Sequence, residues 1–399
     1  MKCKLYSFDV GHGDCHVIRL IDDDMSYNIM VDCHKFNNQI ANFLHETLHD
    51  RIDLLIVTHL DNDHIVGIKQ MLEKNQELVI GKIIHNSLRF KAEEESTTLS
   101  PSEEKYYQQL KEILPREFDP IEYKETGFKD SLLLSKVIME NEHYKEKWET
   151  ERKTIDSDAI TLEKEGNNFG KIYFISPTSE ALKNLDNAFK SHYDKMLMKQ
   201  FKENLQNIEN IYEVILTDLN IEKRSAWVKP VSKRLNSPTS NFIKKSISDT
   251  DTLPTVNNQS SVAFILKSEG HYIAMLGDSP ASILEEGLKI IKEKYEELPD
   301  PINCDIMKIS HHGSGNGTSI NLLNKLTSDR FLISGGKEGE NPDVSTIGRI
   351  AMYDNCETEK TIFFSHKNSM TRDLVNLPDN VKRELNLKLA FENEFDVFQ

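Results

Sequence analysis

The hydrophobic pattern of the first third of the chain alternates short apolar runs with turns. The runs "KLYSFDV" and "CHVIRLI" flank the turn "GHGD", which indicates a β-hairpin, and "YNIMVDC" has the pattern of a further strand. The segment "DLLIVTH" is a continuous apolar run, as expected for a strand buried on both faces. Helical spacing in "NQIANFLHETLHD" and "HIVGIKQMLEKN", with a further strand predicted over "LVIGKIIHN", indicates a layered α/β core.

The pattern changes after the first 87 residues and returns to strand character in the last third. Residues 88–255 are charged and have mostly helical spacing, interrupted by a strand-like run near 171–177. Strand-like runs then resume with "SSVAFILKS", "HYIAMLGDS", "CDIMKISHHGS", "RFLISGG" and "TIFFSHKNS". We therefore predict one α/β core in two parts, residues 1–87 and 256–399, with a mostly helical insertion over residues 88–255.

Composition and charge limit the location and the partners of the protein. The chain has 399 residues and a net charge of −16, and an acidic protein repels nucleic acid at long range. A nucleic-acid function would therefore need a local basic surface or bound cations. The five cysteines are scattered and form no CxxC pair, which favours reduced thiols. Because no apolar run approaches about 18–20 residues and no signal-peptide pattern is present, we expect a cytoplasmic protein.

The sequence "THLDNDH" is the strongest candidate for chemistry. It follows the strand "DLLIVT" and precedes a helix, and it holds four metal-capable side chains, those of His59, Asp61, Asp63 and His64. An acidic loop in which Asp63 merely caps the helix would explain one of these residues. It would not explain two histidines flanking two aspartates, so we predict a metal site.

Two later strand ends carry further candidate ligands. The run "MLGDS" places Asp278 directly after a strand, where a carboxylate can bridge two metal ions, although Gly-Asp-Ser is also ordinary turn chemistry. The run "KISHHGS" places His311 and His312 at another strand end, and the alternative is two loop histidines without a role.

Together and in this order, the motifs resemble the metallo-β-lactamase superfamily, and specifically the β-lactamase-like domain of the ComEC DNA-uptake proteins. The "DVGQGD" of that branch is matched by "DVGHGD", with His12 in place of glutamine, and its His-x-Asp-x-Asp-His loop is matched by residues 59–64. The runs "NNQSSVAFIL", "GDS" and "HHGS" match its later motifs. The agreement covers roughly residues 4–85 and 255–370, with "IYFISPT" near 172–178, and includes nothing like the ComEC membrane channel.

The resemblance implies an αββα four-layer sandwich, the metallo-β-lactamase fold, with a two-metal hydrolase site. The implied metal ligands are His59, Asp61, Asp63, His64, Asp278 and His311, and the implied catalytic residues are Asp63, His311 and His312. The implied cofactor is a pair of divalent ions, manganese or zinc, with magnesium as a further option. Asp61 supplies a hard oxygen in place of the usual histidine, which favours manganese or magnesium and phosphodiester hydrolysis.

Two departures from the family pattern leave parts of the site open. Asn341 stands where the branch often has a histidine, and an amide can form hydrogen bonds but cannot transfer a proton. The isolated ligand histidine of the superfamily is not evident, and His85, His366 or no residue at all would take its place.

Candidate substrate-binding residues fall in three regions. The glycine-rich turn either places His12 and Asp14 beside the site or is simply a tight hairpin turn, and Ser279 and Asn341 lie near the strand ends. The segment 222–245 carries seven Lys/Arg against one Glu, and it is either a solvated loop or a surface that follows phosphates. The candidates in that segment are Lys223, Arg224, Lys233 and Arg234.

Three functions are consistent with the sequence. The ComEC resemblance and Asp61 favour a metal-dependent nuclease that acts on DNA, in DNA turnover or in defence. The net charge of −16 mildly favours a hydrolase of a small ester or a phosphorylated metabolite. The departure at Asn341 and the large insertion allow a binding module with a retained metal site and a protein partner on the insertion.

Overall fold

Two β-sheets form the centre of the structure, a computed structural model that describes residues 1–75, 77–87, 127–188, 238–248, 254–338 and 340–398. The strands are β1 (Lys2–Ser7), β2 (His16–Asp22), β3 (Met25–Val31), β4 (Arg51–Ile52), β5 (Leu54–Val57), β6 (Val79–Ile80), β7 (Ile83–His85), β8 (Ile160–Lys164), β9 (Asn167–Ser176), β10 (Ala263–Ser268), β11 (His271–Met275), β12 (Ile302–Cys304), β13 (Ile306–Lys308), β14 (Leu326–Ser328), β15 (Arg330–Ile333), β16 (Lys360–Phe364), β17 (Leu387–Phe391) and β18 (Glu394–Phe398). Within the described ranges, one sheet has the strand order β18-β1-β2-β3-β5-β7 and the other has the order β17-β16-β15-β13-β11-β10-β9-β8.

Helices cover the outer faces of both sheets. They are α1 (Asn38–Glu46), α2 (Asn62–Lys74), α3 (Gly127–Glu140), α4 (Glu142–Lys147), α5 (Ser240–Lys245), α6 (Val256–Gln259), α7 (Ala281–Lys294), α8 (Ile320–Lys325), α9 (Val344–Met352), α10 (Ser369–Val375) and α11 (Asp379–Leu385). In the part of the chain that the structure describes, no helix is long and apolar enough to cross a membrane.

Three buried apolar clusters divide the molecule into four layers. The cluster between the sheets joins Ile29 of the first sheet to Phe264 of the second. A second cluster packs α7, through Leu284, against the outer face of the eight-stranded sheet. A third packs α2, through Ile68, against the outer face of the six-stranded sheet. The predicted αββα four-layer sandwich is therefore confirmed.

The predicted hairpin forms, but one predicted strand is divided in two. Strands β1 and β2 pair antiparallel, as the two runs around "GHGD" indicate. The run "LVIGKIIHN" instead gives β6, which pairs with β4, and β7, which pairs with β5. Gly81 separates them, because its N–H donates to the Ile52 carbonyl and a Cβ there would lie 2.6 Å from the Asp53 carbonyl oxygen. The single-strand prediction was wrong because close backbone packing at a glycine leaves no hydrophobic signal.

The described parts of residues 88–255 belong to the same core as the rest of the chain. Strands β8 and β9 form one edge of the eight-stranded sheet. Leu134 of α3 and Tyr144 of α4 join the third cluster, together with Trp148. These described parts complete both halves of the sandwich. The predicted limits of the insertion, at residues 87 and 256, therefore stay a prediction.

The carboxyl ends of several strands meet at one edge of the sandwich. Strands β3 and β5 of the first sheet end there, and so do β11, β13 and β15 of the second. The residues that follow these strands are Asp32, Thr58, Leu276, Ile309 and Ser334. Parallel strands commonly place ligand-binding side chains at this edge.

Candidate metal centre

The loop after β5 presents its acidic and imidazole side chains in a fixed arrangement. Thr58 donates to Asp32 through both its N–H (2.8 Å) and its hydroxyl (2.6 Å), which anchors the end of the strand. Asp61 occupies the position that precedes α2 and makes no capping hydrogen bond with its side chain. The helix-cap explanation for Asp63 therefore does not apply, since Asp63 lies within the first turn. The Asp61 carboxylate instead accepts from the Asn257 amide, and Asp63 lies near His312.

One carboxylate oxygen of Asp278 lies at the centre of four imidazoles. Its Oδ2 is 3.5 Å from His64 Nε2 and 3.9 Å from His59 Nε2. The same oxygen is 3.8 Å from Nε2 of both His311 and His312. The structure thus brings the strand-end motifs "GDS" and "HHGS" to the "THLDNDH" loop, although they lie more than 200 residues further along the chain.

The remaining predicted ligands complete this cluster. Asp61 Oδ2 is 3.5 Å from His59 Nε2, and Asp63 Oδ2 is 3.5 Å from His312 Nε2. Among the described residues, three groups have ligand atoms close enough together to hold a metal ion: His59, His64 and Asp278; Asp63, His64 and His312; and Asp14, Asp32 and His64. His312, predicted only as a catalytic residue, therefore lies in a ligand position.

Buried nitrogen atoms without partners show that these side chains fit a cation. Nε2 of His59, His64 and His312 is buried and forms no hydrogen bond with the described residues. These residues are 3%, 0% and 3% exposed, so solvent cannot satisfy the three atoms. Buried polar atoms nearly always have partners. Three orphaned imidazole nitrogens around one carboxylate are the donor set expected for a divalent metal ion.

The opposite ring nitrogen of each histidine is held by a partner outside the cluster. His64 Nδ1 lies 2.8 Å from Asp32 Oδ2, and His312 Nδ1 lies 2.8 Å from the Ser334 carbonyl oxygen. Such contacts fix the ring orientation and the tautomer, so that Nε2 points inward. Asp32 was missed in the sequence, where the only signal is its place directly after the strand "YNIMV".

Opposite charges within the cluster shift the pKa of its members. Burial opposes charge on His312, but Asp14 and Asp278 outweigh it and raise the pKa of this imidazole to about 10. Burial also opposes charge on Asp278, but His64, His312 and His311 hold the pKa of this carboxyl well below its usual range. The carboxylate thus stays ionised, while a cation that binds the histidines must displace protons from them.

A buried lysine and aspartate lie directly behind the ligands. Lys308 Nζ is 2.5 Å from Asp14 Oδ2 and 3.7 Å from Asp278 Oδ1. It also donates to the Gly277 carbonyl at 2.9 Å. The second oxygen of Asp14 accepts from the Ser334 hydroxyl at 2.6 Å. Lys308 was not a predicted site residue, and its signal is a lysine within an otherwise apolar strand.

Two predicted substrate contacts do not fit this geometry. Asp14 is 1% exposed, and its oxygens are occupied by Lys308 and Ser334. Ser279 is 0% exposed, and its hydroxyl lies 2.7 Å from the Ser176 hydroxyl. Neither side chain reaches a surface that a substrate could touch.

His311 is the imidazole of the cluster that opens to solvent. Its side chain is 29% exposed, and the Asn258 amide nitrogen lies 3.2 Å from its Nδ1. His311 and His312 both have left-handed backbone angles, with φ of 48° and 52°, which cost about 1–2 kcal/mol each. The Asn341 amide donates to the His311 carbonyl at 3.3 Å. Asn341 therefore contacts the backbone of the histidine pair, and the substrate contact predicted for it stays a prediction.

The two candidates for an isolated ligand histidine lie elsewhere. The His85 ring stacks on Trp148, with ring centroids 5.7 Å apart. His85 belongs to none of the groups whose ligand atoms could hold a metal ion. His366 Nδ1 lies 2.8 Å from Asp9 Oδ1, beside the glycine-rich turn. Among the described residues, neither histidine supplies the missing ligand.

Most of the predicted basic segment lies outside the described residues. This applies to all four candidates, Lys223, Arg224, Lys233 and Arg234. Of the segment 222–245, the structure describes the last residues, which include α5.

The chain was compared with known families, curated proteins and solved structures. No protein-family model and no curated protein matches it. Among solved structures it is similar to the metallo-beta-lactamase fold protein YhfI from Bacillus subtilis, at 10% identity and a TM-score of 0.36 over 99% of each chain. At this degree of similarity, the match gives no evidence about function. The architecture and the site described above follow from contacts within this chain.

Substitution of Asp32 by asparagine tests the role of the contacts behind the ligands. We expect metal affinity to fall about 10- to 100-fold, because an amide holds His64 Nδ1 less firmly and makes the ring less basic. The measurement is competition with a metal indicator. Asp50→Asn is the matched control, since Asp50 Oδ2 contacts His45 Nδ1 at 2.7 Å far from the cluster. Equal affinities of Asp32→Asn and the wild type would contradict this role.

Proposed function

We propose that the protein is a metal-dependent hydrolase of the metallo-β-lactamase superfamily and that it cleaves phosphodiester bonds. The observation that carries the proposal is the set of three buried, unpartnered Nε2 atoms around Asp278 Oδ2. This set lies at the edge of the αββα sandwich where the carboxyl ends of several strands meet, which agrees with the order of the motifs in the sequence.

The ligand atoms divide into two sets that share Asp278. One set is His59 and Asp61, whose atoms lie 3.5 Å apart. The other is Asp63, His64 and His312, which form one of the ligand groups. Two divalent ions held there would act as Lewis acids, lower the pKa of a water molecule and neutralise charge on a phosphoryl group.

The side chains of this chain orient the site and provide hydrogen bonds. His311 faces solvent beside Asp278 and is placed to donate from Nε2 to a substrate oxygen. Asn258 contacts its other ring nitrogen, which fixes the direction of that donor. The Asn257 amide donates to Asp61 and thereby orients this carboxylate toward His59. Together these contacts preorganise the polar groups, which is the main requirement for stabilising developing charge.

The acidic ligand set supports phosphodiesters as the substrate class. Asp61, Asp63 and Asp278 are hard oxygen donors, which suit manganese or magnesium as well as zinc. We infer that the substrate is nucleic acid, with DNA favoured by the ComEC-like motifs. The net charge of −16 would favour a small phosphorylated ester instead. Assays on both kinds of substrate distinguish nucleic acid from a small ester.

The test is a metal-dependent assay on a panel of substrates. Protein stripped with a chelator is supplied with manganese, zinc or magnesium and assayed on single- and double-stranded DNA, RNA, bis(p-nitrophenyl) phosphate and p-nitrophenyl acetate. We expect activity on DNA and on the chromogenic diester that returns with the metal, and none on the acetate. A protein that binds metal but cleaves no phosphodiester would refute the proposal. Cleavage of the small diester alone would refute the assignment to nucleic acid.

A further inference from the structure

The glycine-rich turn between β1 and β2 is fixed against the metal loop. The Asp14 N–H donates to the Asp63 carbonyl at 3.0 Å, and the Gly336 N–H donates to the His12 carbonyl at 2.9 Å. A Cβ at Gly13 would lie 2.0 Å from the Asp63 carbonyl oxygen, so only glycine permits this approach. The position of His12 relative to the ligand Asp63 is therefore set by backbone contacts.

Several side chains with nitrogen groups surround this turn. The His12 and His34 rings are in contact, with centroids 4.3 Å apart. His34 is 7% exposed, its Nδ1 lies 3.1 Å from the Asn62 carbonyl oxygen, and its Nε2 is buried without a partner among the described residues. Lys35 Nζ lies 3.2 Å from the position of a Cβ on Gly11, which places the ammonium over the turn.

Positive charge near the turn is only partly neutralised. Lys35 is exposed and forms no ion pair with a described carboxylate. Lys337 follows Gly336, lies close enough to influence the charge of His12, and has Glu340 at 4.0 Å. The nearby Asp9 carboxylate is occupied by the Gly11 N–H and His366. Two lysines thus lie at the turn that contacts the metal loop.

His12 and His34 have different hydrogen-bonding roles at this turn. Burial lowers the pKa of both His12 and His34. The lysines therefore provide the positive charge, and His12 provides an N–H group. His34 Nδ1 instead donates to the Asn62 carbonyl, and its ring supports that of His12. This combination is typical of sites that bind phosphate oxygens.

We propose that His12, Lys35 and Lys337 form a second phosphate subsite, with the His12 ring supported by His34, and that this subsite binds the phosphate next to the one that is hydrolysed. The inference rests on the proposed phosphodiesterase function and narrows its substrate class. A strand of nucleic acid carries adjacent phosphates and fills both positions, whereas a simple diester fills one. The turn thus selects a polynucleotide strand over a small ester.

The kinetic test compares substrates with several phosphates and with one. In the double variant Lys35→Gln/Lys337→Gln, we expect KM for oligothymidylate to rise by about tenfold more than KM for bis(p-nitrophenyl) phosphate. The slope of log KM against log salt for the oligonucleotide should fall by about 0.7 for each lysine removed. Lys289→Gln is the control, since Lys289 is 73% exposed on α7, an outer helix. Equal changes in the two KM values would overturn the subsite.

A binding measurement separates failure of the subsite from failure of the proposed function. Inorganic phosphate is titrated into the metal-free wild type and the double variant while the imidazole NMR signals of His12 and His34 are followed. We expect these signals to shift in the wild type and to shift at much higher phosphate concentration in the variant. Shifts without any hydrolase activity would support the subsite and refute the hydrolase. Cleavage of DNA without such shifts would overturn the subsite alone.

Discussion

Replacement of Asp278 by asparagine is expected to lower hydrolytic activity by about a thousandfold, equivalent to several kcal/mol of lost transition-state stabilisation. Asp278 Oδ2 lies within 4 Å of four imidazole nitrogens, which places this carboxylate between the two ligand sets. An amide has nearly the same volume but carries no charge, and it binds divalent ions far more weakly. The metal content of the purified variant, measured by mass spectrometry, should fall from two ions to one or none.

A second aspartate on the same strand pair provides the control for this substitution. Asp305 precedes β13, at the opposite end from the cluster, and its Oδ1 lies 2.8 Å from His271 Nδ1. Asp305→Asn removes the same charge from a similar pair, so it should leave metal content and activity unchanged. If Asp278→Asn retained both ions, the central position of this carboxylate would have no functional meaning.

Replacement of Lys308 by methionine is expected to destabilise the metal-free protein by about 3–5 kcal/mol. Lys308 is 1% exposed and contacts both Asp14 and Asp278, and its removal leaves the Asp14 carboxylate buried without its cation. Burial alone would lower the pKa of Lys308, but Asp14 and Asp278 outweigh it and raise that pKa, so the ammonium remains charged. Urea denaturation of the metal-free protein measures the loss.

The same substitution should strengthen metal binding. Lys308 repels a cation bound at Asp278, so its loss should raise metal affinity by about tenfold. The increase in melting temperature on addition of metal should then be larger in Lys308→Met than in the wild type. Lys360→Met is the matched control, because Lys360 is 0% exposed on the same sheet and pairs with Asp354 away from the cluster. Destabilisation by both variants without a change in metal affinity would show that Lys308 has only a structural role.

The parts of the site that sequence reasoning predicted are those with local signals. The residues 59–64 follow a clear strand, and Asp278 and His311 follow two more, so their types and positions pointed to a shared edge. The alternation of strand and helix patterns predicted a layered α/β core, and the resemblance to the metallo-β-lactamase superfamily implied its αββα arrangement. Contacts between residues that are far apart in the sequence leave no local pattern that could predict them. Asp14 and Lys308 meet across 294 positions, and each looks ordinary in its own segment.

The choice between His311 and His312 as the inner ligand also depends on geometry that the sequence does not display. The left-handed backbone at both positions directs His312 inward, to Asp63, and His311 toward solvent. Adjacent identical residues give no pattern by which to distinguish them. Asn257 and Asn258 were noticed only as part of a strand motif, because the side chains that they orient belong to other segments.

The seam between the two sheets has a consequence for how the protein matures. The "THLDNDH" ligands extend from the first sheet, while Asp278 and His312 extend from the second, more than 200 residues later in synthesis. A nascent chain that has emerged only as far as β7 carries an incomplete donor set and holds metal weakly. Retention of bound metal therefore indicates that the two sheets have packed against each other. Ions that bind only the native state add to its stability. When metal is scarce, the native state would lose this contribution, and proteases would cleave the chain before its secondary structure is lost.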